Sequence, residues 1–134
     1  IALADTIGVA VPTDVRARLE VARAAIGRAG TDQSLRVHFH NTRNTGVACV
    51  ATAVEDGVRV VDSSLGGIGG CPFAPNATGN VPTEDVAYLL ERMGRRTGVD
   101  LDALVSAVQW MESPGLLGRG VPGLLAKAGT FPQG

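Results

Sequence analysis

The segment Leu35-Arg36-Val37-His38-Phe39 decides the fold, because it predicts a short β-strand that leads directly into a helix. Asn44 can act as the N-cap of that helix, and Gly57 can end it. The valines between them recur at helical spacing and predict one apolar face (Val47, Val50 and Val54). The stretch therefore predicts a strand followed by a helix that packs on a sheet.

The same order of strand and helix occurs on both sides of this unit. Residues 1–4 predict a strand, and a helix is expected from an N-cap at Thr13 to a stop at Gly30. Residues 58–61 predict a third strand, rich in valine. Such alternation is typical of an α/β fold in which helices cover a parallel sheet.

Two more helices and a tail complete the predicted organisation. Thr83 and Asp100 are the expected N-caps of these helices, and Gly94 is expected to end the first of them. From Pro114 onward the sequence is rich in glycine and proline, which predicts a tail that wraps the surface. We expect one domain over residues 1–112 and the tail over residues 113–134.

Composition limits the class of protein. The chain has 134 residues, of which 45% are hydrophobic, and this is enough for one globular domain with a core. A formal net charge of −1 gives no basic surface for nucleic acid, and no apolar run reaches the roughly 20 residues of a membrane helix. Two cysteines do not form a disulfide framework, so we expect free thiols, a reducing compartment and a cytoplasmic location (or the mitochondrial matrix in a eukaryote).

Polar residues follow the predicted strands where a parallel α/β sheet binds its ligands, beyond the carboxyl ends. His38 and His40 lie two apart, so both imidazoles project to one face of their strand. Asn80 can add an amide oxygen. Nitrogen and oxygen donors suit Mg²⁺ or Mn²⁺, with Zn²⁺ less favoured. The alternative is that one histidine forms a local hydrogen bond and the other is only half-buried.

Four further residues have both a functional and a local interpretation. Asp5 is either a general base or a cap for the following turn with Thr6. Glu84 either supports the site or interacts with the helix dipole from the first turn. Asp62 and Ser63 either contact substrate or position the glycine-rich loop, and Asp62 could simply satisfy loop amides.

The two cysteines have different surroundings. Cys71 lies in the segment 66–75, GGIGGCPFAP, whose four glycines allow close backbone approach to a ligand. A thiol there is a candidate for proton transfer or nucleophilic chemistry if its pKa is lowered. Cys49 lies on the predicted apolar helix and is expected to be a core thiol.

Three stretches resemble hydroxymethylglutaryl-CoA lyases: residues 37–42, 61–75 and 77–85. Residues 5–9 resemble the strand end that precedes them in that family, and the resemblance extends over about residues 4–104. The His-x-His element is shared with the wider superfamily of metal-dependent aldol and Claisen barrels, which includes isopropylmalate and homocitrate synthases. The Gly-Gly-Cys-Pro loop followed by Gly-Asn is narrower and favours the lyase.

The resemblance implies the C-terminal half of a (β/α)₈ TIM barrel, with parallel strands and extra C-terminal helices. The implied reaction cleaves 3-hydroxy-3-methylglutaryl-CoA, or a close acyl-CoA, to acetyl-CoA and acetoacetate. Implied metal ligands are His38, His40 and Asn80, with Asp5 and His38 in proton movements. Cys71, on a loop that closes over substrate, is implied as proton donor or relay to the enolate, with Glu84 as support near the ligands.

The resemblance also has gaps. Asn41 and Arg43 stand where many members carry Asp and Tyr. The aspartate ligand and catalytic arginine of the family's first strand have no counterpart here, and a barrel needs roughly 250 residues. We therefore expect the N-terminal half of the barrel as a partner, a dimer as the assembly, and an isolated chain that is inactive and poorly stable. The alternatives are an acetyl-CoA-condensing synthase of the same superfamily and an inactive interaction fragment.

Overall fold

Three parallel strands form the central sheet in the computed structural model, which describes residues 1–30, 34–71, 74–114, 116 and 123. The strands are β1 (Ala2–Asp5), β2 (Arg36–Phe39) and β3 (Val60–Asp62), and they neighbour one another in chain order. The predicted parallel α/β arrangement is therefore confirmed. Because the first two strands are joined through a helix, as are the second and third, all three carboxyl ends lie at the same edge of the sheet.

Two helices cover one face of this sheet. They are α1 (Pro12–Ala29), after β1, and α2 (Gly46–Glu55), after β2. Their apolar residues and those of the strands form one core, which includes Leu19, Val37, Phe39, Cys49 and Val50. Side chains alternate between the two faces along each strand, and residues opposite one another in register share a face, so Leu3, Val37 and Val61 all point toward this core.

Helix starts were predicted less well than helix ends. The N-caps of α1 and α2 are Val11 and Thr45, so the predictions of Thr13 and Asn44 are wrong. Pro12 is the first residue of α1 and fixes a helical φ, so the helix begins two residues earlier than predicted. Asn44 has a φ of 60°, a left-handed conformation that belongs to the turn before α2. Gly30 ends α1 as predicted, with a φ of 63°.

The glycine-rich segment contains a short turn and a pair of strands that its composition does not predict. After β3 the chain makes a short 3₁₀ turn over Leu65–Gly67, and β4 (Gly70–Cys71) then pairs antiparallel with β5 (Ala74–Thr78). The segment that carries Cys71 is thus a β-hairpin rather than an irregular loop. Its strands pair with each other and lie outside the central sheet.

Residues 79–83 join the carboxyl ends of β2 and β3. The amide of Val81 donates to the carbonyl of Phe39 at 3.1 Å, and the amide of Ser64 donates to the carbonyl of Val81 at 3.1 Å. The chain then enters α3 (Thr83–Arg92), whose N-cap is Pro82 and not the predicted Thr83. This bridging segment holds Asn80 at the edge where β2 ends.

The fold closes with α4 (Leu101–Met111), where Asp100 is the N-cap as predicted and accepts a 3.0 Å hydrogen bond from the amide of Ala103. Most of the predicted tail lies outside the described residues. Gly123 is an exception: it is buried, and its amide donates to the carbonyl of Gly66 at 3.2 Å. The prediction of a tail on the surface stays a prediction. None of the helices in the described ranges is long and apolar enough to cross a membrane.

Candidate functional site

Two imidazoles lie at the carboxyl end of β2. The rings of His38 and His40 have centroids 5.2 Å apart and are inclined at 63°. The alternation along the strand that predicted a common face is thus observed as a ring contact. His40 is 5% exposed, whereas about a third of the His38 side chain reaches solvent.

Asn80 is brought to the same place by backbone hydrogen bonds. It forms an isolated antiparallel bridge with His40, and the amide of Asn41 donates to the carbonyl of Gly79 at 3.2 Å. The side-chain nitrogen Nδ2 of Asn80 donates to the carbonyl of Ile68 at 3.0 Å. This orientation leaves Oδ1 buried and, among the described residues, without a hydrogen-bond partner.

A divalent cation fits these donors. Nδ1 of His40 is likewise buried with no hydrogen-bond partner in the described part of the chain, and buried polar atoms of this kind are uncommon in native proteins. Burial lowers the pKa of His40, and the nearby His38 lowers it further, so His40 favours the neutral form that a metal ligand needs. Residues 1–30, 34–71, 74–114, 116 and 123 contain no group of three His, Cys, Asp or Glu side chains able to hold a metal, so the predicted set depends on the amide of Asn80.

Asp5 has the local contacts that the sequence left open. Its Oδ1 accepts the amide of Val9 at 3.2 Å, and its Oδ2 accepts the amide of Ala10 at 2.9 Å. The carboxylate therefore caps the loop after β1, with these two residues rather than with Thr6. In register Asp5 lies opposite Phe39, on the alternate position to His38. Its role in proton transfer stays a prediction.

Asp62 and Ser63 contact neighbouring side chains at the rim, and their roles toward substrate and the glycine-rich loop stay predictions. Oδ2 of Asp62 lies 3.8 Å from Nδ1 of His38 and 3.7 Å from Nε of Arg36. The hydroxyl of Ser63 shares a 2.9 Å hydrogen bond with the hydroxyl of Thr83. The described contacts of Asp62 are thus with the histidine strand, and those of Ser63 with the start of α3.

Glu84 is fully buried and contacts the glycine-rich turn. Its Oε2 accepts the amide of Gly66 at 3.0 Å, while Oε1 is buried without a hydrogen-bond partner among the described residues. Burial raises the pKa of this carboxyl, against the lowering effect of its backbone hydrogen bonds. Glu84 therefore supports the turn that leads to the Cys71 hairpin, and no described contact joins it to the histidines.

Of the two cysteines, Cys49 is the core residue that the sequence predicts. Cys49 is fully buried, and its thiol donates to the carbonyl of Ala10 at 3.3 Å, which confirms a core role. Burial raises its pKa to about 11, and Asp5 and Asp14 add to the effect. Cys71 lies in β4, in register with Ala74, and its thiol lies outside the described side chains.

Arg43 is a site residue whose contacts the sequence did not reveal. Its Nη1 donates to the carbonyls of Ile7 at 2.9 Å and Gly8 at 3.1 Å. Gly8 has a φ of 61°, and a Cβ there would lie 2.7 Å from the hydroxyl of Thr42. Arg43 therefore joins the loops after β1 and β2 at the rim. The departure of Arg43 from the family pattern was the one sign of this contact noted in the sequence.

The profile of the HMGL-like family matches residues 1–111. This chain belongs to the HMGL-like family. It is 48% identical over 134 residues to the (R)-citramalyl-CoA lyase of Chloroflexus aurantiacus, covering 99% of this chain and 40% of that protein. It is 43% identical over 122 residues to a hydroxymethylglutaryl-CoA lyase of Bacillus subtilis, covering 91% of this chain and 39% of that protein.

The solved structures of this HMGL-like family agree. An HMG-CoA lyase from Acinetobacter baumannii in complex with coenzyme A and 3-methylmalate is 45% identical, with a TM-score of 0.82 over 96% of this chain and 40% of that one. This confirms the predicted resemblance and the fold class, an α/β fold that matches part of the hydroxymethylglutaryl-CoA lyase TIM barrels. The chain spans about two fifths of the length of these relatives.

Proposed function

We propose that this chain supplies the metal-binding rim of a carbon–carbon lyase that acts on 3-hydroxy-3-methylglutaryl-CoA or a close acyl-CoA. One observation carries the proposal: two histidines and Asn80 meet at the carboxyl edge of the sheet, with buried acceptor atoms on His40 and Asn80 that lack partners in the described part of the chain. Membership of the HMGL-like family and similarity to acyl-CoA lyases support the reaction class.

His38, His40 and Asn80 would hold a divalent ion, Mg²⁺ or Mn²⁺, in this proposal. When bound, such an ion polarises the tertiary hydroxyl of the substrate and helps to orient it. The side-chain amide of Asn80 supports this role, since its Nδ2 donates to the carbonyl of Ile68 and its Oδ1 is buried without a hydrogen-bond partner among the described residues.

The chain's own groups would then move the protons. A base, Asp5 in this proposal, takes the hydroxyl proton, the carbon–carbon bond breaks, and its electron pair passes to the acetyl-CoA fragment as an enolate. The thiol of Cys71 gives the enolate carbon a proton, so the products are acetyl-CoA and acetoacetate. Cys71 lies in β4, and the strand that pairs with it, β5, ends two residues before Asn80. In this proposal the hairpin would exclude water from the enolate.

The remaining strands of the barrel are part of the proposal. On the face of the sheet opposite the helices, Ala2, Ala4, Arg36 and Val60 are exposed. We propose that the rest of the barrel, within the protein that contains this chain, encloses this face. We propose a reducing compartment, because the reaction requires a free Cys71 thiol. We also propose that the complete protein is a homodimer.

The reaction is tested with the protein containing this chain in a complete barrel. Acetoacetate release from 3-hydroxy-3-methylglutaryl-CoA with Mn²⁺ is measured beside cleavage of (R)-citramalyl-CoA, the substrate named for one relative. We expect metal-dependent carbon–carbon cleavage of one of these two acyl-CoA substrates and a large loss of this activity in Cys71→Ser. Joining of acetyl-CoA to a 2-oxo acid, with Cys71→Ser well tolerated, would instead identify the condensing synthase.

The metal site is tested separately by calorimetric titration with Mn²⁺. His38→Ala and Asn80→Ala should each weaken binding strongly, because each removes one donor. Glu55→Gln serves as the control, since this exposed carboxylate ends α2 and pairs only weakly with Arg16 at 3.8 Å. Equal Mn²⁺ affinity in the wild type and both site variants would overturn the metal site.

A further inference from the structure

Asp62 faces His38 across the sheet. The two residues are directly opposite in the parallel register of β2 and β3, so their side chains share a face. Oδ2 of Asp62 lies 3.8 Å from Nδ1 of His38, and each side chain is about one third exposed. Arg36, two residues earlier on β2, reaches the same oxygen with Nε at 3.7 Å.

This geometry distinguishes the two nitrogens of the His38 ring. A carboxylate beside Nδ1 favours the tautomer with its proton on Nδ1, because that N–H points at negative charge. The lone pair is then left on Nε2, the nitrogen able to bind a metal. The present distance is an ion-pair distance, and a shift of about 1 Å would bring it to hydrogen-bond length.

Arg36 makes Asp62 suited to this role. Nε of its guanidinium lies 3.7 Å from the same carboxylate oxygen, so the Asp62 carboxylate lies between Arg36 and His38. His40, by contrast, has a buried Nδ1 without a hydrogen-bond partner among the described residues. Among the described residues, the two histidines therefore have different surroundings: the Asp62 carboxylate lies beside Nδ1 of His38, whereas Nδ1 of His40 has no hydrogen-bond partner.

We propose that Asp62 is a positioning residue that sets the tautomer and ring orientation of His38 so that Nε2 is presented to the divalent cation. This rests on the proposed metal site. It gives Asp62 a contact with a proposed metal ligand, beside its sequence-based roles toward substrate, the position of the glycine-rich loop and the loop amides, which stay predictions.

The tautomer is measured first, by long-range ¹H–¹⁵N correlation spectra of the imidazoles in the metal-free protein at about pH 8, where an ordinary histidine is neutral. We expect mainly Nδ1–H for His38 in the wild type and a mixture in Asp62→Ala, with the His40 signals as internal reference. His38→Ala assigns the signals. Asp56→Asn is the matched control, because Asp56 also pairs with an arginine, Arg16, at 3.9 Å, but at the end of α2.

Mn²⁺ affinity is the second readout. Loss of a carboxylate that orients a ligating histidine costs 10- to 100-fold in metal affinity, on the order seen for such partners. We expect that loss in Asp62→Ala and none in Asp56→Asn. If Asp62→Ala does not fold, Asp62→Asn keeps the side-chain volume and is judged by the same two measurements, with a smaller effect because its amide oxygen can still accept from Nδ1–H.

The outcomes separate this inference from the proposed function. An unchanged His38 tautomer in the Asp62 variant, or unchanged Mn²⁺ affinity, overturns the positioning role while a loss in His38→Ala preserves the metal site. Unchanged affinity in His38→Ala overturns the metal site itself. A shifted tautomer together with weaker Mn²⁺ binding supports the positioning role.

Discussion

The amide of Gly66 donates a 3.0 Å hydrogen bond to Oε2 of Glu84, whose side chain is fully buried at the start of α3. Gly123 packs against the same two residues. Its amide donates to the carbonyl of Gly66, and a Cβ added to Gly123 would collide with Oε1 of Glu84. The turn before the Cys71 hairpin is thus held between a buried carboxyl and a distant piece of backbone.

This contact predicts a pH-dependent difference between wild type and Glu84→Gln. Burial raises the pKa of Glu84, and Asp85 and Glu112 raise it further, so the folded state holds the proton more tightly than the unfolded state. The contribution of Glu84 to stability is therefore full below its ordinary pKa of about 4.3 and is lost as the pH rises through the raised value. Glutamine cannot ionise and still has an oxygen to accept from Gly66.

We expect the free energy of unfolding of Glu84→Gln, relative to wild type, to increase as the pH rises over that interval. Urea titrations of both proteins between about pH 4 and pH 8 measure this difference. Glu20→Gln, at an exposed position of α1, is the control and should show no such trend. A difference between Glu84→Gln and wild type that is constant with pH would contradict the prediction.

The fold could be predicted from the sequence wherever the signal was local. Apolar periodicity located the strands and helices. Gly30 was predicted as a helix end and Asp100 as a helix N-cap, because these residue types cap helices through local backbone and side-chain preferences. The β4–β5 hairpin was missed because glycine and proline have low strand propensity, and its pairing is formed with residues further along the chain.

The candidate site likewise contains residues that local spacing predicts and contacts that depend on the tertiary structure. His38 and His40 were predicted together because two residues along a strand return to one face. The contact of Asp62 with His38 depends on the register of two strands, and that of Glu84 with Gly66 on how α3 packs under the turn. Neither of these relationships is encoded in the spacing of residues within one element.

Arg43 is predicted to stabilise the rim by joining its two loops. Arg43→Lys keeps the charge but loses the fixed geometry that reaches the carbonyls of Ile7 and Gly8. We expect a loss of about 0.5–1.5 kcal/mol in the free energy of unfolding. The amides of Val9 and Ala10, which donate to Asp5, should exchange their hydrogens faster as the loop opens.

The matched control for Arg43 is Arg28→Lys, an exposed arginine in the last turn of α1. It should leave both stability and amide exchange at Val9 and Ala10 unchanged. If Arg43→Lys also leaves them unchanged, the Arg43 hydrogen bonds do not hold the two loops together.

Cys49 is predicted to be chemically inert in the folded protein. It is fully buried and its pKa is raised to about 11, so the reactive thiolate is scarce at neutral pH. Iodoacetamide should modify Cys49 only at the rate of unfolding, and rapidly in denaturant. Peptide mass spectrometry at timed intervals measures this at Cys49 itself, and rapid native modification would show that the core around α2 opens.

Gly46 and Gly27 should respond in opposite directions to replacement by alanine. A Cβ on Gly46, at the buried start of α2, would lie 2.8 Å from the carbonyl oxygen of His40 and 2.7 Å from Cγ1 of Val81, so backbone beside the proposed metal site must move. We expect Gly46→Ala to lose about 1–3 kcal/mol of stability and to weaken Mn²⁺ binding. Gly27 lies in α1 with nothing within 4 Å of its added Cβ, and alanine there should gain about 0.5–1 kcal/mol. Urea unfolding of both variants measures these changes, and a Gly46→Ala protein as stable as wild type would show that the rim tolerates displacement beside His40.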